Sequence, residues 1–190
     1  GLFDGATSRR GLTLGGITIG RFAAETACDA LATLPPDATA RTAINHLSEA
    51  VATRARITAQ SEDKTFEEVW HYPAAAALIY SRTRKEIWRV ADSTFMVNGD
   101  KPNMRFFAQE KTWCDLRRAW LQAEMVRGKT VDELLANDMT WDLLSPLIGN
   151  LKVFANCDHA MAHPYGYGVI NGSHVPDRYV EVFDASTAQE

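Results

Sequence analysis

The stretch AAAALIY, residues 74–80, decides the fold class of this chain. It is short and nearly all apolar, which is typical of a strand buried on both faces. Ser81–Lys85 predicts a polar turn, and EIWRVA, Glu86–Ala91, alternates as a second strand does. TFMV, Thr94–Val97, predicts a third strand because it ends at Asn98-Gly99, a tight-turn signal. Together these segments predict a three-stranded antiparallel meander.

Helical patterns lie on both sides of the meander. Ile19–Leu34 repeats apolar residues at spacings of three and four until Pro35-Pro36 ends it, and Ala40–Thr58 repeats the pattern. Three later helices are predicted at Arg105–Arg127, Val131–Ala136 and from Trp141 to about Leu151, the last interrupted by Pro146. Two closing strands are predicted at Gly168–Asn171 and Tyr179–Phe183. This order favours an α+β fold with antiparallel sheets over the βαβ alternation of a parallel sheet.

Two tryptophans stand out in the predicted helix Arg105–Arg127. Trp113 and Trp120 are seven residues apart, which places both indoles on one face of a helix. Large aromatic side chains in this arrangement contribute strongly to packing. We therefore expect both to belong to the core and not to a ligand platform.

Length, charge and cysteine content limit the class of protein. A chain of 190 residues fits a single domain, 1–190, and its net charge of −4 argues against nucleic acid as a partner. A run of 18 apolar residues is absent, and the start of the chain lacks the layout of a signal peptide, so we expect no membrane association. Cys28, Cys114 and Cys157 are odd in number and far apart, which predicts reduced, mostly buried thiols and a cytoplasmic location.

Several common site motifs do not fit this sequence. The glycines between Gly11 and Gly20 lack the Gly-Lys-Ser/Thr of a phosphate loop, although a helix N-terminus there leaves an anion role open. Cys157, Asp158, His159 and His163 lack the second ligand pair of a closed zinc site, so we expect a loop. Neither a Gly-x-Ser-x-Gly elbow nor an N-terminal nucleophile is present.

Two acidic residues follow the ends of predicted strands. Asp4 lies in Phe3-Asp4-Gly5, and Asp92 lies in Ala91-Asp92-Ser93. An acid at this position exposes its carboxylate at the edge of a sheet, and Gly5 allows its own carbonyl to approach a cation. Taken alone, Asp-Gly predicts only a turn, so the order of the surrounding segments carries the argument.

That order resembles the type 2C family of metal-dependent serine/threonine protein phosphatases. LFDGAT, Leu2–Thr7, is similar to the early Asp-Gly metal motif of the family, and Gly20–Leu31 is similar to the helix that follows it. Ala76–Phe95 resembles the strand, turn and strand that lead into the Gly-Asp-Ser motif. Gly168–Phe183 resembles the segment that enters the last sheet.

The resemblance implies a four-layer α-β-β-α sandwich with two antiparallel sheets. It implies hydrolysis of a phosphoprotein or a small phosphomonoester by a water held between two Mg²⁺ or Mn²⁺ ions about 4 Å apart. Asp4 would bind metal through its carboxylate and Gly5 through its carbonyl, while Asp92 would be an accessory ligand or would orient one. Arg9 and Arg10 would receive the substrate phosphate, or are solvated arginines without that role.

The sequence departs from the family pattern in ways that leave a second function open. The family's upstream acidic strand and its later Asp-Gly and Asp-Asn motifs have no match, and Ala91 stands where the family has glycine. Asp184-Ala185-Ser186 favours a turn over a metal motif. One carboxylate cannot hold two divalent ions, so the alternative is a non-catalytic binding or regulatory module on the same fold. A third alternative is a catalytically complete protein assembled from this chain and residues outside it, in which the type 2C-like domain 1–190 is incomplete at both ends.

Overall fold

The computed structural model of the chain describes residues 1–6, 11–65 and 73–188. Over these residues the fold is mixed α+β, with five α-helices and two antiparallel sheets. The strands and α-helices in chain order are β1 Leu2–Gly5, β2 Thr13–Leu14, β3 Ile17–Thr18, α1 Ile19–Leu31, α2 Ala40–Ser61, β4 Ala75–Ser81, β5 Glu86–Val90, α3 Ala108–Val126, α4 Val131–Ala136, α5 Thr140–Asn150 and β6 Glu181–Asp184. Short 3₁₀ helices span Leu151–Phe154, Ala160–Ala162 and Asp177–Tyr179.

The larger sheet has the strand order β1-β4-β5-β6, and every neighbouring pair is antiparallel. The predicted strands at β4 and β5 are therefore confirmed. The predicted third strand at Thr94–Val97 is wrong, because within it only Phe95 forms a bridge, to Asn103. The predicted turn does form, with Asn98 and Gly99 at φ of 53° and 81°. It reverses the chain inside a loop, and β6 takes the place beside β5.

One face of this sheet carries the main core. Side chains alternate along β4, so Ala75, Ala77 and Ile79 are buried while Tyr80 is exposed. Helix α1 packs on the buried face at β1 and β4, and side chains of α2 belong to the same core. We call the opposite face, which carries Asp4, Leu78 and Tyr80, the outer face of the sheet.

The second sheet is the hairpin formed by β2 and β3. Leu14 of this hairpin packs with Ile19 and Phe22 of α1 in a small separate core, to which Ala55 and Ala59 of α2 also belong. The carboxylate of Glu62, just after α2, accepts a hydrogen bond of 2.8 Å from the backbone N–H of Gly15. The hairpin is therefore joined to both helices.

A buried arginine fixes the loop that follows β5 to the outer face. The guanidinium of Arg89, only 3% exposed, pairs with Glu181 at 2.8 Å and donates to the carbonyl of Asn103 at 2.9 Å. It also lies 5.6 Å and 5.0 Å from the ring centres of Phe95 and Phe183. These contacts hold residues 93–103 across the outer face at β5.

Helices α3, α4 and α5 form a unit that we call the helical arm, residues 108–150. Arg117 of α3 donates to the Thr140 hydroxyl at 3.1 Å and pairs with Asp138, which joins α3 to the start of α5. Trp113 and Trp120 share one side of α3 as predicted, but both are only half-buried and neither belongs to the two cores. The helix α4 has its predicted bounds, and α5 continues through Pro146.

The expectations about membranes and thiols have different outcomes. None of the helices among the described residues is both long and apolar enough to cross a membrane.

All three cysteines are free, as predicted. Cys28 and Cys114 are exposed, however, so the expectation of mostly buried thiols is wrong. In both cases the cysteine lies on a solvent-facing side of an amphipathic helix, α1 or α3.

Candidate functional site

Asp4 and Gly5 occupy the end of β1, an outer strand of the larger sheet. Asp4 lies opposite Ala76 and Gly5 lies opposite Ala75 in the register with β4. Directly opposite residues point to the same face, so the exposed Asp4 carboxylate stands on the outer face. The ladder continues one residue further, where Ala6 N–H donates to the carbonyl of Ala74 at 2.8 Å.

The start of α1 packs directly against this strand end through two glycines. A Cβ atom placed on Gly5 would lie 2.2 Å from the carbonyl oxygen of Gly20. A Cβ atom on Gly20 would lie 2.2 Å from the carbonyl oxygen of Ala6. Only glycine permits backbones to approach this closely, so the pair fixes where the Asp4-Gly5 backbone lies relative to α1.

Asp92 lies in the bend just beyond β5 and is exposed. Ala91, the residue before it, has φ of 75°, in the left-handed region that favours glycine. The methyl group of Ala91 is nevertheless 5% exposed and therefore packed. The backbone at Ala91 thus has a conformation that favours glycine, although its side chain is buried.

The structure brings Asp4 and Asp92 to the same end of the sheet. Strands β1 and β5 both end where β4 begins, since Gly5 pairs with Ala75 and Val90 pairs with Ala77. The two acids lie on either side of β4, and two strand spacings separate neighbouring backbones by about 10 Å. One ion bound directly by both carboxylates would require the loop after β5 to bend toward β1.

Glu110 is a third acid at this end of the sheet, and it was not among the residues predicted from the sequence. Glu110 lies in the first turn of α3 and accepts a hydrogen bond of 3.3 Å from the N–H of Phe107. Burial raises the pKa of its carboxyl group, the hydrogen bond lowers it, and the charge of Asp92 raises it further, with a net rise. Its position as a helix-capping acid was visible in the sequence, but its closeness to Asp92 depends on the tertiary fold.

Asp184 lies away from this group. It pairs with Glu86, where β5 begins, which is the opposite end of the sheet from Asp4. Its carboxylate accepts a hydrogen bond of 2.8 Å from Ser186 N–H, so it forms the turn that the sequence favours. Asp184 therefore cannot share a metal site with Asp4.

The loop containing Cys157, Asp158, His159 and His163 has contacts that stabilise its own shape. Asn156, with φ of 52°, exchanges hydrogen bonds with both the N–H and the carbonyl of Val169, at 2.9 Å and 2.8 Å. His159 Nδ1 accepts from Met161 N–H at 3.1 Å, and Asp158 pairs with Arg178 at 3.2 Å. These contacts agree with the expectation of a loop.

The described residues do not form a complete site for two metal ions. Across residues 1–6, 11–65 and 73–188, no three Asp, Glu, His or Cys side chains lie close enough together to hold a metal ion. Asp4 with the Gly5 carbonyl offers two oxygen ligands, and Asp92 and Glu110 lie further along the same sheet end. Arg9 and Arg10, expected to bind phosphate, lie outside the described residues.

Comparisons of the chain with protein-family models, with curated proteins and with solved structures gave no match.

Proposed function

We propose that this chain is a metal-dependent phosphomonoester hydrolase of the type 2C kind, with Asp4 and Gly5 at its metal-binding end. The observation that carries the proposal is the meeting of Asp4-Gly5 and Asp92 at one end of one sheet. These residues come from strands that are far apart in the sequence. Oxygen ligands of this type suit Mg²⁺ or Mn²⁺, and the substrate is a phosphoprotein or a small phosphomonoester.

The conformation of Ala91 gives this proposal independent support. Ala91 has a backbone conformation that glycine adopts without strain, and it stands at the position where a Gly-Asp-Ser motif has its glycine. We therefore interpret Ala91 as a substituted glycine in a retained motif.

The four-layer sandwich is part of the same proposal. Its support is the outer face of the sheet, where Leu2 is 58% exposed and Tyr80 is 46% exposed. Large apolar residues on a sheet face are usually covered by a second layer. The β2–β3 hairpin is joined to the helices and has only two residues in each strand. We therefore do not assign the second layer over the outer face to this hairpin.

The metal ligands present limit the expected activity. Two divalent ions about 4 Å apart repel each other and need several carboxylates to hold them. When bound, such ions supply a water nucleophile at neutral pH. The described residues do not fit a two-metal site. We therefore expect this chain to bind Mn²⁺ weakly and to hydrolyse phosphomonoesters slowly.

The test is turnover of p-nitrophenyl phosphate by the chain with Mn²⁺, with and without a chelator. We expect slow turnover that the chelator removes and that Asp4→Asn reduces at least about tenfold. Asp37→Asn is the matched control, because Asp37 is also exposed and lies in the loop before α2. If Asp4→Asn and Asp37→Asn change the turnover equally, the proposal is contradicted.

The second candidate is a non-catalytic binding or regulatory module on the same fold. The observation that favours it is the lack of any group of three possible metal ligands among the described residues. Calorimetric titration with Mn²⁺ distinguishes the two, since a binding module of this kind has no need for metal. If the chain binds Mn²⁺ with measurable heat and Asp4→Asn removes that heat, the result supports the hydrolase proposal. If the parent chain shows no heat of Mn²⁺ binding, the result supports the binding-module proposal.

A further inference from the structure

The helical arm exposes a row of apolar side chains along α5. Met139, Leu143 and Leu147 are four residues apart and are 43%, 55% and 49% exposed. The neighbouring row of side chains on α5 is buried inside the arm, where Thr140 is 1% exposed and Leu144 is 8% exposed. The helix is therefore apolar on two sides, and only one side has a partner in the described part of the chain.

The same pattern occurs on α4, which three residues separate from α5. Val131 and Leu135 are four residues apart and are 55% and 73% exposed, while Leu134 between them is buried. Met139, the one methionine within residues 131–147, is also exposed. Exposed methionines are common on surfaces that bind other proteins, because their flexible side chains adapt to a partner.

The charge on this part of the arm has one sign. Residues 131–150 contain four acidic residues, Asp132, Glu133, Asp138 and Asp142, and no lysine or arginine. Asp138 is paired with Arg117, and Glu133 accepts hydrogen bonds from Thr130 at the start of α4. Among the described residues, Asp132 and Asp142 form no ion pair. Asp142 therefore places negative charge beside the apolar row of α5, and Asp132 places it beside the apolar pair of α4.

Charge decides which partner fits this acidic apolar surface, defined here as residues 131–147. A second copy of the chain would bring two negative surfaces together, which is unfavourable. Anionic membrane lipids would be repelled for the same reason. A basic amphipathic helix would place its apolar side on Met139, Leu143 and Leu147 and its lysines or arginines beside Asp132 and Asp142.

We propose that the acidic apolar surface of α4 and α5 binds a basic amphipathic helix of a partner protein. The row from Met139 to Leu147 is about 12 Å long at 1.5 Å per residue, which matches two turns of a partner helix. This binding does not depend on the proposed phosphatase activity, because residues 131–147 include none of the residues proposed to bind metal.

The experiment measures binding of a fluorescent synthetic peptide to the whole chain by anisotropy. The probe is an amphipathic peptide of about 14 residues made of leucine and lysine at helical spacing. The control peptides replace every lysine by glutamate, or scramble the order to remove the apolar face. We expect the leucine–lysine peptide to bind at least about tenfold more tightly than either control, and added salt to weaken its binding.

Variants of the chain test whether the binding uses this surface. Leu143→Ser with Leu147→Ser, and separately Asp132→Lys with Asp142→Lys, should each weaken binding about tenfold. Ile57→Ser and Glu49→Lys are the matched controls, because both residues are exposed on α2, and each should change binding less than about twofold. Because all these side chains are exposed, circular dichroism should show every variant folded.

Three results would overturn the proposal. The first is equal binding of the lysine and glutamate peptides, or no binding of either. The second is binding that the α2 controls weaken as much as the α4 and α5 variants do, which would indicate nonspecific attraction to an acidic protein. The third is self-association of the chain in sedimentation that Leu143→Ser with Leu147→Ser abolishes, which would make a second copy the occupant.

Discussion

At the scale of single residues, Ala91 stands out because its conformation and its identity disagree. A φ of 75° costs an alanine about 1–2 kcal/mol relative to ordinary backbone conformations, because its Cβ crowds the neighbouring carbonyl. The surrounding contacts, with Arg89 donating to the Ser93 carbonyl at 3.3 Å, hold the bend in place. The residue before Asp92 is therefore kept in its strained conformation by the fold around it.

We expect Ala91→Gly to leave the free energy of unfolding unchanged or to raise it by about 1 kcal/mol. The relief of backbone strain offsets the lost methyl packing and the greater freedom of glycine in the unfolded chain. Ala77→Gly is the control, since Ala77 is equally buried in β4 but is not among the left-handed residues, and it should cost about 1–2 kcal/mol. Urea denaturation measures both, and equal losses would show that Ala91 is unstrained.

A buried hydroxyl group supports a second prediction at this scale. Ser48 of α2 is 4% exposed, and its Oγ has no hydrogen-bond partner among the residues that the structure describes. Thr26 of α1 is also 4% exposed, but its hydroxyl donates to the Phe22 carbonyl at 2.6 Å and accepts from Arg54 at 3.1 Å. Ser48→Ala should therefore raise the free energy of unfolding by about 1 kcal/mol, whereas Thr26→Val should lower it by about 1 kcal/mol. Thermal denaturation of both variants checks the difference, and a loss of stability in Ser48→Ala would show that its hydroxyl is satisfied.

At the scale of elements, the contact between β1 and α1 determines the geometry of the candidate site. The two glycines let the first turn of α1 rest on the backbone of residues 5 and 6. A helix N-terminus with such close backbone contact cannot shift without moving Asp4. The position of the acid is therefore a property of helix packing as much as of its own strand.

Gly20→Ala should destabilise the protein by about 2–4 kcal/mol, although alanine favours helices, because the new methyl group would overlap the Ala6 carbonyl. Gly149→Ala in α5 is the matched control, since a Cβ atom there meets nothing within 4 Å. That control should stabilise the protein by about 0.5–1 kcal/mol. Denaturation midpoints of the two variants decide the matter, and a neutral Gly20→Ala would mean that α1 moves freely against β1.

The helices and strands show which local patterns are sufficient to predict structure. The bounds of α4 follow from Thr130 and Glu133, which cap its first turn with backbone hydrogen bonds of 3.3 Å and 2.7 Å. Local signals of that kind are visible in a sequence. Thr94–Val97 has the composition of a strand, but Phe95 packs against Phe183, which comes from a distant segment of the chain. A strand forms only beside a hydrogen-bonding partner strand, and local composition does not show whether Thr94–Val97 has such a partner.

The same distinction separates the predicted and unpredicted parts of the candidate site. Asp4 and Asp92 could be selected because each follows a strand, and the antiparallel order then brings them to one end of the sheet. Glu110 was missed because its burial and its closeness to Asp92 arise from where α3 begins in space. Asp184 was a weak candidate, and the register of β6 with β5 places it at the wrong end.

At the scale of the whole molecule, buried ion pairs link stability to pH. Glu181 lies between Arg89 and Arg105, each at 2.8 Å. Burial raises the pKa of its carboxyl group, but hydrogen bonds from both arginines outweigh burial and hold it below the ordinary value of 4.5. The folded pKa is lower than the unfolded one, so this stabilisation is complete above pH 4.5 and is lost as the pH falls through the folded value.

We therefore expect the melting temperature to be nearly constant from pH 7 to about pH 5.5 and to fall steadily between about pH 4.5 and pH 3. Glu181→Gln should melt at a lower temperature at pH 7, because Arg89 keeps a buried charge without a counter-charge, and should lose less on acidification. Asp142→Asn, on the exposed surface of the arm, should behave as the parent chain does. Calorimetry between pH 3 and pH 7 measures all three, and parallel curves for Glu181→Gln and the parent would exclude this ion pair as the source.

The strand order of the larger sheet has a consequence for biosynthesis. During translation β5 leaves the ribosome more than 90 residues before β6, since residues 86–90 must wait for residues 181–184. Throughout that interval one edge of β5 has no partner, and Arg89 carries its charge without Glu181. Pairings between such distant segments form slowly, and an open strand edge in a nascent chain invites association with other chains. Aggregation during synthesis is therefore favoured in the time between those two strands.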